Sequence, residues 1–501
     1  MRASPDLDAF AASYDAGRPQ VVWCDFVADL ETPVSAFLKM ADGRPMTFLL
    51  ESVEGGATRG RYSLIGLKPD LIWRFRDGRS EINRDARFDL DAFVPMAGGG
   101  LETLRQLIEE SKIDLPATLP PMAAGIFGYL SYDMVRLMER LPDKNPNTLG
   151  IPDSVFLRPT VVAVFDNILD RMTIVTPVRP AQGVDARHAY DRARERLADV
   201  LADLERSLPH RREPAGESEE VPTPASNMTP ERFKWMVERC KEYIVAGDAF
   251  QIVPSQRFSV PFRLPPMALY RALRRLNPSP FLFILDLGGF AVVGSSPEIL
   301  VRLRDGTVTI RPLAGTRRRG ANATEDQQLA ADLLSDPKEL AEHLMLLDLG
   351  RNDVGRVSRV GTVKVTEQFA VEYYSHVMHI VSNVEGAISP EYDALSALVA
   401  GFPAGTVSGA PKVRAMEIIE ELEEERRGVY AGCVGYFAAN GAMDTCIALR
   451  TAVVKDGTMY VQAGGGVVAD SDPEAEYQET VNKARALFRA AEEAVRFARR
   501  G

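Results

Sequence analysis

Four times in this chain an acidic or amide residue followed by glycine interrupts a run of alternating apolar residues: Asp77-Gly78, Asp305-Gly306, Asn440-Gly441 and Asp456-Gly457. Alternation at period two puts one set of side chains on a single face of a strand. Asp-Gly and Asn-Gly tolerate the positive backbone angles that a tight reversal needs. Each occurrence therefore predicts a hairpin, and hairpins pair antiparallel. Stretches of helical period lie between them, so the fold class is α+β, with antiparallel sheets covered by helices. No short repeat and no long heptad pattern competes with that reading.

One break in composition divides the chain. Residues 206–228, "RSLPHRREPAGESEEVPTPASNM", are rich in Pro, Ser and Glu and poor in large apolar side chains, which predicts a linker. A helical pattern precedes it. After it, Thr229 and Pro230 predict a helix start, with Thr as N-cap and Pro in the first turn.

The net charge of -11 argues against a general nucleic-acid binder, which needs a basic footprint. Arg311 and Arg317–Arg319 around "PLAGT" are then local, and a small anion suits them better than a polymer; surface or structural charge is the plainer reading. The four cysteines lie far apart without C-x-x-C spacing, so neither a disulfide framework nor a zinc site is expected. The first nineteen residues carry acids and no apolar core, and no run is long and apolar enough to span a bilayer. The expectation is a soluble cytoplasmic protein.

Two helices repeat one spacing. In "DPKELAEHLMLLDLGRND" (336–353), expected to be helical to about Leu349, Glu339 and Glu342 share a face. The surrounding residues are apolar nearly all round, which predicts burial. In "SDPEAEYQETVNKARALF" (471–488), Glu476 and Glu479 repeat the spacing and Lys483 follows one turn later. That helix starts either with Asp472 as N-cap or with a capping box from Ser471 to Glu474. The glutamates are either solvated stripes or oxygen ligands for a hard cation such as Mg²⁺ holding a substrate carboxylate. "GTVSGAPK" (405–412) fails the phosphate-loop pattern, "AGGG" (463–466) does not fit a dinucleotide loop, and no nucleophile elbow appears. His376 and His379, in an apolar stretch, read as core or hydrogen-bonded histidines.

Taken in order, "LLES" (49–52), "GRYSLIG", "NPSPFLF" (277–283), "GSSPE" (294–298), "RPLAGT", "EHLMLLDLGRND", "YYSHVMH", "GTVSGAPKVRAME", "YAGCVGY", "CIALRT" and "AGGGVVADSDPEAEYQET" make the chain resemble the chorismate-utilising enzymes from about residue 20 to 495, and most closely their anthranilate-forming branch. The resemblance implies a large α/β sandwich of antiparallel sheets with outer helices. It implies an N-terminal region (20–205) carrying part of a tryptophan site, and a catalytic region (229–495). It implies Mg²⁺ on Glu342 and Glu479, with Glu339 and Glu476 beside them. Chorismate contacts are implied at Gly315, Thr316, Tyr430, Arg450, Gly464, Gly465, Gly466 and Lys483. Glu298 is implied as general acid for the departing 4-hydroxyl, and His376 and Thr406 as residues that assist pyruvate loss. Gln251 stands where water-adding relatives carry a Lys base, and Ala314 where aminodeoxychorismate-forming relatives carry a Lys nucleophile. Ammonia is then the implied nucleophile.

No cysteine sits in an amidotransferase context, so a separate glutamine amidotransferase subunit is implied as ammonia source, in a hetero-oligomer. Glu51, Ser52, Pro280, Phe281 and Leu282 match the tryptophan pocket, with Phe281-Leu282 replacing the usual Tyr-Met. Two rivals stay open: a relative that stops before pyruvate loss, and a silent tryptophan-binding subunit.

Overall fold

The computed structural model describes residues 2–54, 58–208, 222–374 and 377–500. Three of the four Asp-Gly or Asn-Gly pairs turn as their chemistry requires. Asp77, Asp305 and Asp456 have φ near +50°, and the glycine after each lies between +71° and +74°. The fourth reversal is a hairpin of another kind. At Asn440-Gly441 only the glycine is left-handed (φ +89°), and Ala438 N–H closes the loop on the Ala442 carbonyl.

The hairpins merge into one antiparallel network of 21 strands among the described residues. Strands from before and after the 206–228 segment interleave in it. Thr47–Glu54 pairs with Phe281–Asp286, and Gly125–Leu130 pairs with Cys433–Ala438. Alternation then builds the layers, with a change of face where the register against Thr58–Arg76 slips beside Arg158 and Pro159. On Ser154–Asp166, Val155, Leu157, Val162 and Val164 turn to an inner core made of strand residues, with Phe48, Phe127 and Phe283. Val161, Ala163 and Phe165 turn outward to a second core, which the helices Pro33–Ala41, Ala186–Glu205 and Pro266–Leu276 cover. A third core lies under Gly100–Glu110 and Ala394–Gly401, and Lys412–Leu422 packs most of its apolar face against Pro230–Val245 in a further cluster. This is the expected sandwich with outer helices, apolar faces buried on both sides. Among the described residues no helix is long and apolar enough to cross a membrane.

Helix starts follow the sequence closely. Thr229 accepts from Arg232 N–H with Pro230 in the first turn. Asp472 accepts from Ala475 N–H, which decides between the two starts expected there; Ser471 instead donates to Glu476 at 2.7 Å. The helix expected to end near Leu349 runs on, Pro337–Gly355. It is also less buried than its composition suggests. Leu344 is 46% exposed, so one apolar stripe meets solvent and the glutamate pair lies at the border. The expected linker is shorter at its end, since Ala225–Ser226 pairs with Phe258 and Ser259. Residues 209–221 lie outside the described residues.

Candidate active site

A cavity of about 840 Å³ opens between the ends of the strands Leu313–Arg318 and Thr458–Gly464 and the helices Pro337–Gly355 and Pro473–Arg500. That volume suits a small organic ligand. Both glutamate pairs face it, although the helices that carry them are remote in sequence.

Its floor holds Glu298, 5% exposed at the turn between Ala291–Ser296 and Ile299–Arg304. Burial pushes its carboxyl up to about 8, against the smaller opposing effect of the Thr406 hydroxyl. Thr406 Oγ1 lies 3.2 Å from both carboxyl oxygens. At neutral pH the group is mainly protonated and can give a proton.

The wall opposite is a bulge. The register of Leu313–Arg318 against Val377–Ala387 slips between Ala314 and Thr316, and Gly315 takes φ +76°. A side chain at 315 would meet Glu339 Oε2 at 3.1 Å and Ile380 at 3.2 Å, so the close approach and the backbone both select glycine. The bulge turns Ala314 and Thr316 to the cavity. Thr316 Oγ1 and the Gly315 carbonyl each lie 3.0 Å from His379 Nδ1. Burial lowers the His379 pKa to about 4, so the ring is neutral at pH 7. A neutral ring that donates from Nδ1 to a carbonyl leaves Nε2 as a lone pair, and Nε2 is buried without a hydrogen-bond partner among the described residues.

The four glutamates are held differently. Glu339 accepts from Arg317 at 2.8 Å, and Arg317 also pairs with Asp332 and Asp336. Glu342 accepts from Gln251 Nε2 at 2.8 Å. Burial, with the charges of Glu339 and Glu479 nearby, raises its pKa. Glu476 Oε2 is buried with no partner among the described residues, and burial raises its pKa as well. Glu479 pairs with Lys483 at 2.7 Å, and Lys483 also donates to the Gly464 carbonyl at 2.9 Å. Among the described residues no three acidic, His or Cys side chains stand close enough to close on a metal. The donor set is nevertheless all oxygen, with repelling charges and one orphaned carboxylate oxygen, which fits a hard cation.

Arg450 completes the wall at φ +47°. Burial lowers its pKa, only Tyr374 opposes that, and no carboxylate of the described residues pairs with it. A desolvated guanidinium of this kind can take a ligand carboxylate. Tyr430, with its hydroxyl pushed up to about 12 by burial, Gly464 and Gly466 also line the cavity. Gly465 does not. It packs on Glu476, whose Oε2 would lie 2.8 Å from any added side-chain carbon.

The model of the chorismate binding enzyme family matches residues 68–489. The chain belongs to that family. It is an enzyme that acts on chorismate. It is 64% identical to anthranilate synthase component 1 of Cereibacter sphaeroides over 99% of both chains. It is 48% identical to that of Pseudomonas aeruginosa, over 93% of this chain and 94% of the relative. Anthranilate synthase component I from Streptococcus pneumoniae superposes with a TM-score of 0.74 at 36% identity, over 92% of this chain and 98% of that one. The menaquinone-specific isochorismate synthase from Escherichia coli shares the fold, with a TM-score of 0.68 at 20% identity over 97% and 98%.

The arginines around "PLAGT" read as structural from their own ion pairs. Arg311 pairs with Glu367 and Glu372, Arg318 with Glu325 and Arg319 with Asp326. Arg317 differs in gripping Glu339. His379 is the residue that sequence reasoning passed over. The strand gave it no signal of its own, since Met378, Ile380, Val381 and Ser382 around it are buried too, on both faces. His376 lies outside the described residues.

The five residues matched to a tryptophan pocket do not share one face. Ser52 pairs with Phe281, and Glu51 with Leu282, so alternation sends the two pairs to opposite sides. Glu51 is spent on Tyr270 and Arg274, and Leu282 is core at 2% exposure. Ser52 donates to the Tyr62 carbonyl at 3.0 Å. Of the same stretch, Asn277, Pro278 and Ser279 line the large cavity.

Proposed function

We propose that the chain converts chorismate and ammonia to anthranilate and pyruvate, the first committed step of tryptophan biosynthesis, with ammonia supplied by a separate glutamine amidotransferase subunit. The observation that carries this is Glu298. A buried carboxyl, mainly protonated at pH 7, faces the cavity, while neither Gln251 nor Ala314 offers an amine as base or nucleophile.

Arg450 takes one substrate carboxylate. Glu342 and Glu479, with Glu339 and Glu476, would hold Mg²⁺, which supplies positive charge for the other carboxylate. Ammonia adds at C2 on the open side left by Ala314, and the ammonium so formed loses one proton to solvent to become the amine. The ring double bonds shift, and the 4-hydroxyl departs as water with the proton of Glu298. Thr406 keeps the carboxyl oriented. His379 Nε2 then accepts the C2 proton while the enolpyruvyl C–O bond breaks. The enolpyruvate gains a proton to become pyruvate, and the ring becomes aromatic. His376, expected to assist pyruvate loss, lies outside the described residues; the support for His379 is its neutral ring, whose Nε2 has no hydrogen-bond partner among the described residues.

The test is the purified chain with chorismate, Mg²⁺ and ammonium. Fluorescent anthranilate is the expected product, and glutamine alone yields none, because no amidotransferase nucleophile is available. A relative that stops early accumulates a non-fluorescent aminated ring, and a silent subunit consumes no chorismate. Turnover of glutamine by the lone chain would sink the partner assignment.

Tryptophan is the proposed feedback inhibitor, bound near Ser52 and Phe281. The physical support is continuity: residues 277–279 line the catalytic cavity and 280–282 enter the strand beside Ser52. Ser52→Arg is expected to raise the tryptophan concentration for half inhibition by more than about tenfold, a coupling loss of about 1.4 kcal/mol, with turnover largely kept. Wild-type sensitivity in that variant, measured by anthranilate fluorescence, would remove Ser52 from the effector site.

A further inference from the structure

The most buried ion pair near the cavity touches no substrate. Arg427 is 2% exposed and Glu423 is 6% exposed, and neither lines the cavity. Arg427 donates to Glu423 through Nε at 2.9 Å and Nη2 at 2.6 Å. Its remaining donors leave the pair. Nη1 reaches the Val407 carbonyl at 2.7 Å, and Nη2 the Val253 carbonyl at 2.6 Å. The guanidinium carbon lies 4.8 Å from the ring centre of Tyr132 and 5.5 Å from that of Tyr430. Glu423 in turn accepts from Ser255 N–H at 2.9 Å and Ser255 Oγ at 2.8 Å.

Four of these contacts, at Val407, Val253, Tyr430 and Ser255, sit on or next to a wall of the cavity. Val407 follows Thr406, whose hydroxyl holds Glu298. Val253 lies two residues after Gln251, which holds Glu342. Tyr430 is itself a wall, and Ser255 pairs across the sheet with Gly464. One planar cation therefore fixes segments that are far apart in the chain.

We propose that Arg427, set by Glu423, is a positioning residue that holds Thr406 on Glu298 and Tyr430 and Gln251 in register with it. Stability alone does not call for such a pair, since a buried ion pair is often replaceable by apolar residues at no loss. Arginine is specific to the task. Its fixed fork serves Glu423 and two carbonyls at once, and a lysine has a single nitrogen to place. The proposal rests on the reading of Glu298 as the proton donor.

The experiment compares Arg427→Lys with Arg158→Lys in the full chain. Arg158 is also buried, at 8% exposure, pairs with the part-exposed Asp70 and Glu110, and lies outside the cavity. Both variants should melt at lower temperature. Well below those temperatures, Arg427→Lys should lose about 10- to 100-fold in kcat, the scale of misplaced reacting groups, with KM for chorismate within about twofold because Arg450 is untouched. Arg158→Lys should keep its kcat. The double variant Arg427→Met with Glu423→Leu leaves no stranded charge and should fold with the same loss of kcat, which keeps the test open if Arg427→Lys does not fold. Wild-type kcat in a folded Arg427 variant, equal losses in Arg427→Lys and Arg158→Lys, or a change confined to KM would each overturn the proposal. Glu298→Gln assayed alongside separates the two readings. If it turns over normally the proton-donor assignment has failed, whereas the comparison of the two arginines judges the clamp by itself.

Discussion

Glu298→Gln should lower kcat by about 10²- to 10⁴-fold, the usual contribution of a positioned general acid, while chorismate still binds. The amide nearly matches the carboxyl in shape and can still hydrogen-bond to Thr406. It cannot give up a proton, so the 4-hydroxyl would have to leave as hydroxide. The loss corresponds to about 3–5 kcal/mol of barrier. The sign of the pH dependence follows from the same burial. Folding raises the carboxyl to about 8, so the competent, protonated form prevails at pH 7 and is lost as pH rises through about 8. Wild-type kcat should fall on that limb, and the residual rate of Glu298→Gln should not. A Glu298→Gln rate within threefold of wild type, or a wild-type limb near the ordinary carboxylate value, would remove Glu298 from the chemistry.

Loss of one glutamate from the cavity is the second large effect expected. Glu342→Gln keeps the shape and deletes an anionic oxygen from a hard-cation site. Turnover at sub-millimolar Mg²⁺ should fall by at least about 10²-fold, the upper range for losing a group that sets metal affinity. Excess Mg²⁺ should restore part of it. Calorimetric titration of the chain with Mg²⁺ reads the same affinity without catalysis, and the variant should bind more weakly than wild type. Removing the charge also relieves repulsion, since Glu339 and Glu479 both act to raise the Glu342 pKa. The variant should therefore melt at or above the wild-type temperature when Mg²⁺ is absent. Unchanged Mg²⁺ binding in Glu342→Gln would remove this residue from the donor set, whatever its activity.

The sequence by itself determined what local rules govern. Asp-Gly turns fixed antiparallel hairpins, because the left-handed angles they need are cheap for those residues. Periods of 2 and 3.6 fixed which side chains share a face, so both Glu pairs were legible; Thr229 was legible as a cap, while Asp472 was one of two starts that only the structure separated. The motif order disclosed the family and its α+β sandwich.

The same rules misjudged how deep a face lies. The helix Pro337–Gly355 is apolar by composition, yet Leu344 meets solvent, because burial depends on what packs against a helix and not on the helix itself. The tertiary structure also decided the chemistry. Thr406 reaches Glu298 across 108 residues, and it is burial, opposed by that hydroxyl, and not the "GSSPE" motif that sets the carboxyl near 8. A one-residue bulge at Gly315 brings Thr316 to His379, whose Nε2 has no partner among the described residues. Glu51 and Leu282, read as pocket residues, are turned by strand alternation to the face opposite Ser52 and Phe281. Arg317 on Glu339 and Arg427 among three wall segments have no local signature. A pKa and an unpaired lone pair are sums over neighbours in space, and most of those neighbours come from chain segments that sequence spacing leaves unconnected.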